Sequence, residues 1–119
     1  MSEWYPVCRI GDLVAGSGVC ALVNGQQVAI YYLPDEPQRV FALDNFDPIG
    51  KANVLSRGIL GDVQGQLMVA SPLYKEHFSL INGRCLEKNE YAVRVWPVRI
   101  EGNSVQVQQP AVGAMESAA

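Results

Sequence analysis

His77 is the residue whose side chain is best suited to acid–base chemistry. It is the only histidine in the chain, and histidine has the ordinary side-chain pKa, about 6.5, that lies closest to neutral pH. It follows Lys75-Glu76 in a segment that contains no catalytic motif. We therefore predict no catalytic role, and expect His77 to order its loop or to touch a partner protein.

Two aspartates raise a second possibility, a small metal site. Asp44 and Asp47 together with His77 would offer carboxylate and imidazole ligands, which suit several divalent metals. The segment 44–48 is explained more simply as a turn, because Asp and Asn side chains in turns hydrogen-bond to nearby backbone groups. We predict no metal ligands in this chain, and a small enzyme with a different metal is kept as an alternative.

The cysteines offer a third kind of chemistry. Cys85 would be a redox thiol if the neighbouring Arg84 lowered its pKa, but a buried or half-buried thiol is the simpler interpretation. With Cys8 and Cys20, the cysteines are odd in number and irregularly spaced, which argues against a disulfide framework. We predict packed thiols in a protein of the reducing cytoplasm.

The elements that must position these side chains are predicted to be β-strands. Short runs rich in β-branched and aromatic residues alternate with Gly, Asn, Asp and Pro, and no long window keeps a helical period. Asn24-Gly25 predicts a tight hairpin between 19–23 and 27–32, because this dipeptide readily takes positive φ angles. A second hairpin is predicted between 98–100 and 105–107.

Three further strands are predicted between these hairpins, at 40–43, 66–70 and 91–95. The connection from Asp44 to Gly58 is long for a loop, and ordering such a segment costs conformational entropy. Long ordered loops typically carry function. Near the start of the chain, 12–14 is predicted to form a helical turn.

Trp96 ends the last of these inner strands. Pro97 follows it, and proline is tolerated at a strand edge or bend. A large aromatic side chain can cover such a break, so we predict that the indole packs in the core.

The composition predicts one globular domain without nucleic-acid or membrane contacts. The chain has 119 residues, of which 49% are hydrophobic and 18% charged. A chain of this size and composition can bury a stable hydrophobic core without disulfides or structural metal ions. Its net charge of -3 and the absence of a basic stripe argue against binding nucleic acid. No signal peptide or membrane-length apolar run is evident. We assign 1–109 to the domain and 110–119 to a flexible C-terminal tail.

Two loops of the chain resemble the cluster-binding loops of Rieske iron–sulfur proteins, in which each loop supplies one Cys and one His to a [2Fe–2S] cluster. Asp47-Pro48-Ile49 stands where Cys-Pro-His would be, and Ser71-Pro72-Leu73-Tyr74 where Cys-Pro-x-His would be. The resemblance puts four residues at the ligand positions: Asp47, Ile49, Ser71 and Tyr74. None would hold this cluster. The resemblance therefore implies an all-β, Rieske-like domain of small antiparallel sheets, with a degenerate cluster-binding subdomain and no cofactor.

A more specific resemblance, to one group of Rieske-like proteins, is carried by residues 52–62, 70–75 and Phe78. They are similar to the small subunits of cytoplasmic assimilatory NAD(P)H-dependent nitrite reductases, and the similarity runs from about Trp4 to Val107. This implies a non-catalytic subunit whose partner, the large subunit, would carry FAD, sirohaem and a [4Fe–4S] cluster and reduce nitrite to ammonium. The alternative of a stand-alone Rieske-type electron carrier lacks the cluster ligands.

The resemblance also implies where the partner would bind. In the Rieske fold the two loops lie side by side, so Asp47, Tyr74, Lys75 and His77 are expected to lie close together. Aromatic and cationic side chains on an exposed loop are typical of protein interfaces. We predict that these residues form the interface with the large subunit.

Overall fold

The computed structural model describes residues 3–110, in which the regular structure is almost entirely β-strand. Two 3₁₀ helices, Ile10–Asp12 and Leu55–Arg57, accompany eleven strands. The strands are β1 Tyr5–Arg9, β2 Ser17–Val23, β3 Gln26–Tyr32, β4 Val40–Asp44, β5 Phe46–Asp47, β6 Ala52–Asn53, β7 Ile59–Val63, β8 Gln66–Ala70, β9 His77–Ser79, β10 Val98–Glu101 and β11 Ser104–Val107. The predicted tail, apart from Pro110, lies outside the described residues. Within residues 3–110 no helix has the length and apolarity to cross a membrane.

The strands form small antiparallel sheets, as predicted. Their orders within residues 3–110 are β1-β11-β10, β2-β3-β4, β5-β6 and β7-β8-β9. Asn24 and Gly25 have φ angles of 50° and 78° and join β2 to β3, which confirms the first hairpin. The hairpin of β10 and β11 is confirmed as well, with pairs from Val98↔Val107 to Glu101↔Ser104.

The sheet of β2, β3 and β4 is covered on both faces, which divides the core into two clusters. Successive residues of β3 point to opposite sides, so Ala29 and Tyr31 enter one cluster while Val28 and Ile30 enter the other. Burial of both faces explains the uninterrupted apolar run in this strand. Trp96 belongs to the second cluster and is only 1% exposed, which confirms its predicted place in the core.

The segment 91–95 is not the regular strand that its composition predicts. It forms only isolated bridges, among them Leu43↔Val95. Its backbone still follows β4, because the Asp44 N–H donates to the Arg94 carbonyl and the Trp96 N–H donates to the Ala42 carbonyl. The apolar pattern was recognised correctly, but the spacing of these bonds is too irregular for a ladder.

Two other predicted segments also need correction. The connection from Asp44 to Gly58 is not an irregular loop, because it contains β5, β6 and the helix Leu55–Arg57. The helical turn near the start lies at Ile10–Asp12 rather than at 12–14. These short elements leave no periodic pattern in a sequence and are fixed by tertiary contacts.

Candidate functional site

Two turns meet where the resemblance places the cluster-binding loops, and together we call them the tip. They are residues 47–51, between β5 and β6, and residues 71–75, between β8 and β9. Buried Asn45 anchors the first loop: its Oδ1 accepts the Ser56 N–H at 2.7 Å and its Nδ2 donates to Gln27 Oε1 at 3.0 Å. The second turn is fixed by the pairing of β8 with β9.

The two turns are built alike. Each starts with a short polar residue followed by proline and closes with a backbone hydrogen bond from a lysine. The Lys51 N–H donates to the Asp47 carbonyl at 2.7 Å, and the Lys75 N–H donates to the Ser71 carbonyl at 3.1 Å. Both lysines have positive φ, 58° and 65°. This left-handed region is uncommon for residues other than glycine, because the Cβ crowds the backbone.

A side-chain hydrogen bond joins the first residues of the two turns, and we call it the Asp47–Ser71 clamp. Ser71 Oγ donates to Asp47 Oδ2 at 2.5 Å. Asp47 Oδ1 accepts the N–H groups of Ile49 at 2.8 Å and Gly50 at 3.0 Å. Asp47 and Ser71 are buried. A buried carboxylate is stable only when hydrogen-bond donors compensate it, and these three donors do so.

Gly50 allows the two turns to approach each other. A Cβ atom at this position would lie 2.4 Å from Leu73 Cδ1 and 3.0 Å from Asp47 Oδ2. The first distance is too short for unbonded atoms, so a larger residue would displace the Leu73 side chain and crowd the clamp. Gly50 therefore permits this close approach without moving Leu73.

The residues at the tip do not fit a [2Fe–2S] cluster. A Rieske cluster takes two thiolates and two imidazoles, whereas these four positions supply a carboxylate, an aliphatic side chain, a hydroxyl and a phenol. Asp47 and Ser71 bond directly to each other. Ile49 packs against the core, and Tyr74 is 66% exposed. The Asp47–Ser71 clamp thus joins two of the positions at which the resemblance expects ligands, one from each loop.

The structure divides the predicted interface residues into exposed and buried ones. Tyr74 and Lys75 are exposed in the second turn, and His77 is half-buried at the start of β9. Asp47 has no exposed surface, so its predicted place at a protein interface is wrong. Its carboxylate holds the two turns together instead. The role of the other three at an interface stays a prediction.

His77 is held by Glu87, a partner that sequence reasoning missed. Its Nδ1 lies 2.6 Å from Glu87 Oε2, and its backbone N–H donates to Glu87 Oε1 at 2.8 Å. Partial burial would raise the pKa of Glu87, but the hydrogen bonds from His77 outweigh this effect and lower the pKa. Glu87 is therefore ionised at neutral pH. The pair orders the chain next to the tip, as expected for a structural histidine.

Asp44 is used elsewhere and does not form a metal site with Asp47 and His77. Its carboxylate accepts hydrogen bonds from Arg94 Nε at 2.9 Å and from Trp96 Nε1 at 2.8 Å. The predicted self-capped turn is thus right for Asp47 and wrong for Asp44. In the part of the chain that the structure describes, no three His, Cys, Asp or Glu residues are placed to hold a metal ion together.

Cys85 is a packed thiol, as predicted. It is buried in the core, and burial raises the pKa of its thiol, so the reactive thiolate is scarce at neutral pH. Cys8 is half-buried. Cys20 is exposed on β2, so the prediction of a packed thiol is wrong there.

The chain matches the Rieske-like [2Fe–2S] domain family over residues 3–108. The class of protein that this fold and tip define is therefore a Rieske-like domain. The nitrite reductase (NADH) small subunit of Salmonella typhimurium is 44% identical over 108 residues, which are 91% of this chain and 99% of that protein. Within the Rieske-like class, the chain belongs to the family of nitrite reductase small subunits.

A solved structure and a longer protein extend this comparison. The NMR structure of the Escherichia coli protein NirD has a TM-score of 0.84 at 40% identity, covering 93% of this chain and all of that one. The nitrite reductase [NAD(P)H] large subunit of Klebsiella oxytoca is 41% identical over 104 residues, 87% of this chain but only 11% of that protein. In the Klebsiella protein, a domain of this kind is therefore part of the large-subunit polypeptide.

Proposed function

We propose that this chain binds the large subunit of an NAD(P)H-dependent nitrite reductase and supports the reduction of nitrite to ammonium without reacting with nitrite itself. The observation that carries this proposal is the Klebsiella protein, in which a domain 41% identical to this chain forms part of the large-subunit polypeptide. A domain that is covalently joined in one organism and separate in another is expected to occupy the same place in the complex.

The chain acts without a cluster in this proposal, because the donors at the tip do not fit one. FAD, sirohaem and a [4Fe–4S] cluster belong to the large subunit, as the resemblance implies. A subunit without cofactors can still raise the activity of its partner if it binds the active conformation more tightly than the inactive one. A difference in affinity between the two conformations is sufficient.

The cytoplasm is the proposed compartment. The three cysteines in the chain are free thiols, and free thiols persist in a reducing compartment. The large subunit would meet NAD(P)H there. Tyr74, Lys75 and His77 are the proposed contact residues, because they lie on or next to the exposed turn of the tip.

Co-purification tests this function directly. A tagged small subunit, expressed together with the large subunit of the same organism, is expected to elute with it in stoichiometric amount on size exclusion. A small subunit carrying Gly50→Leu provides the control, because the added side chain would force the turns of the tip apart. If the wild-type chain elutes alone at micromolar concentrations of both proteins, the proposed partnership is wrong.

Iron reconstitution tests the proposed absence of a cluster. After anaerobic incubation with ferrous iron and sulfide, we expect the desalted chain to contain no stoichiometric iron or acid-labile sulfide and to stay colourless, because the four ligand positions lack thiolates and imidazoles. A Rieske ferredoxin with intact ligands, treated in parallel, shows that the procedure works. Bound iron with visible charge-transfer absorption would contradict the ligand argument and favour an electron carrier.

A further inference from the structure

The two lysines that close the turns of the tip occupy equivalent positions. Four residues other than glycine have positive φ among residues 3–110, namely Asn24, Lys51, Gln64 and Lys75. Asn24 and Gln64 lie in hairpin turns, each followed by a glycine. Lys51 and Lys75 each end a tip turn, at a position where glycine would be accommodated at lower cost. Their presence there indicates that the side chain has a use that offsets the strain.

The charges of both lysines are available for a partner. Lys51 and Lys75 are exposed and form no ion pair with another described residue. The acidic residues near them have other contacts: Asp47 is buried in the clamp, one oxygen of Glu76 lies 3.5 Å from Lys88 Nζ, and Glu87 hydrogen-bonds to His77. Within the two turns, 47–51 and 71–75, the exposed charges are therefore the two lysine ammonium groups, on a chain whose net charge is -3.

Exposed apolar side chains accompany these cations. Leu73 and Tyr74, which precede Lys75, are 43% and 66% exposed, and Phe46, which precedes Asp47, is 44% exposed. Aromatic residues are enriched at protein interfaces, and charged groups lie at their polar rim. The Asp47–Ser71 clamp joins the two turns that carry the lysines, so the positions of the two turns relative to each other are fixed before a partner binds.

A small inorganic anion is a poorer occupant of this surface than a protein. Anion sites are built from backbone N–H groups that point outward. Here the N–H groups of Ile49 and Gly50 are bonded to the Asp47 carboxylate, and those of Lys51 and Lys75 close their own turns. The lysine side chains therefore remain as the positive groups, and these suit carboxylates spread over a protein surface.

We infer that Lys51 and Lys75 form a matched pair of docking cations that bind an acidic surface of the nitrite reductase large subunit. This inference rests on the proposed function and adds the chemistry of the contact. Lys51 is new to the predicted interface, since the sequence analysis named only Asp47 from the first turn, and Asp47 is buried. The two lysines are expected to accelerate association and to fix the orientation of the subunit, as complementary charges do at interfaces.

Charge reversal tests the pair. Lys51→Glu and Lys75→Glu are each expected to weaken binding of the full-length chain to the large subunit about tenfold, and the double variant about a hundredfold, because like charges would then face each other. Arg39→Glu is the matched control: it makes the same charge change at an exposed residue just before β4, at the opposite end of that strand from the tip. The control is expected to bind like the wild type.

Salt and glycine variants separate docking from folding. Wild-type affinity should fall as the salt concentration rises, and the affinity of the double glutamate variant should rise, because salt screens attraction in the first case and repulsion in the second. Lys51→Gly and Lys75→Gly relieve the strained φ angle, so these variants should melt at the same or a higher temperature than the wild type and still bind more weakly.

The outcomes are distinguishable. If the wild-type chain binds the large subunit and the folded double glutamate variant binds equally well, the docking pair is wrong while the proposed function stands. If the wild-type chain does not bind at all, the proposed function fails and the inference fails with it. A Lys→Gly variant that loses stability and affinity together would show that these lysines serve the fold rather than the contact.

Discussion

Replacing Trp96 by alanine is expected to destabilise the domain by about 3–5 kcal/mol, the usual cost of deleting a large buried aromatic side chain. The indole is 1% exposed in the core cluster beneath β3 and β4. Its Nε1 donates to Asp44 Oδ1 at 2.8 Å, and Arg94 lies over the ring at 5.6 Å. The substitution therefore leaves a cavity and removes one of the hydrogen-bond donors to the Asp44 carboxylate, which also accepts from Arg94.

Thermal unfolding measures this effect. We expect a fall in melting temperature of more than about 10 °C, since about 4–8 °C corresponds to 1 kcal/mol in a domain of this size. Trp4→Ala is the control, because Trp4 is only half-buried and stacks against the exposed Arg99. A Trp96→Ala chain that unfolds like the wild type but no longer binds the large subunit would make Trp96 an interface residue and contradict its place in the core.

Loss of the Asp47–Ser71 clamp is the second large effect that we expect. Asp47→Ala removes the acceptor of the Ser71 hydroxyl and of the Ile49 and Gly50 N–H groups. Each of these three donors costs about 1–3 kcal/mol when it is buried without a partner, and water entering the loosened tip would offset part of the sum, so we expect a net loss of about 2–4 kcal/mol. Asp47→Asn retains one carbonyl acceptor and should cost less.

Hydrogen exchange shows whether this loss is confined to the tip. Faster exchange is expected in residues 45–58 and 71–76, while β3 and β4 stay protected, because these strands lie between the two core clusters. Binding to the large subunit should weaken as well, since the turns that carry Lys51 and Lys75 lose their fixed spacing. A stable Asp47→Ala variant with unchanged exchange in both loops would show that the clamp does not hold the tip.

Much of the fold could be predicted from local chemistry. Asn24-Gly25 defines its hairpin because both residues accept positive φ, and β4 and β8 are evident as apolar runs. The strand β7 was missed for a related reason. Its turn to β8 is Gln64-Gly65, with φ angles of 54° and 80°, and glutamine is not a residue that signals such a turn. In addition, β7 contains Gly61-Asp62, and both residue types are typical of turns rather than strands.

The resemblance pointed to the two loops of the tip but not to the contacts between them. It assigns Asp47 and Ser71 to ligand positions, but a hydrogen bond between residues 24 apart in the chain leaves no local pattern in the sequence. Glu87 was missed as the partner of His77 for the same reason. Lys51 was missed because its turn resembles that of Lys75 in conformation and only weakly in sequence, with Pro and Lys as the shared residues.

We propose that this chain supports nitrite reduction through binding and without a cluster of its own. Nitrite-dependent oxidation of NAD(P)H by the large subunit is therefore measured with and without a small subunit that was purified in a chelator and shown to contain no iron. We predict that the iron-free chain raises the rate in a saturable way and that the lysine double variant does so only at much higher concentration. A rate that stays at the level of the large subunit alone, and rises only after the small subunit is loaded with iron and sulfide, would contradict the claim.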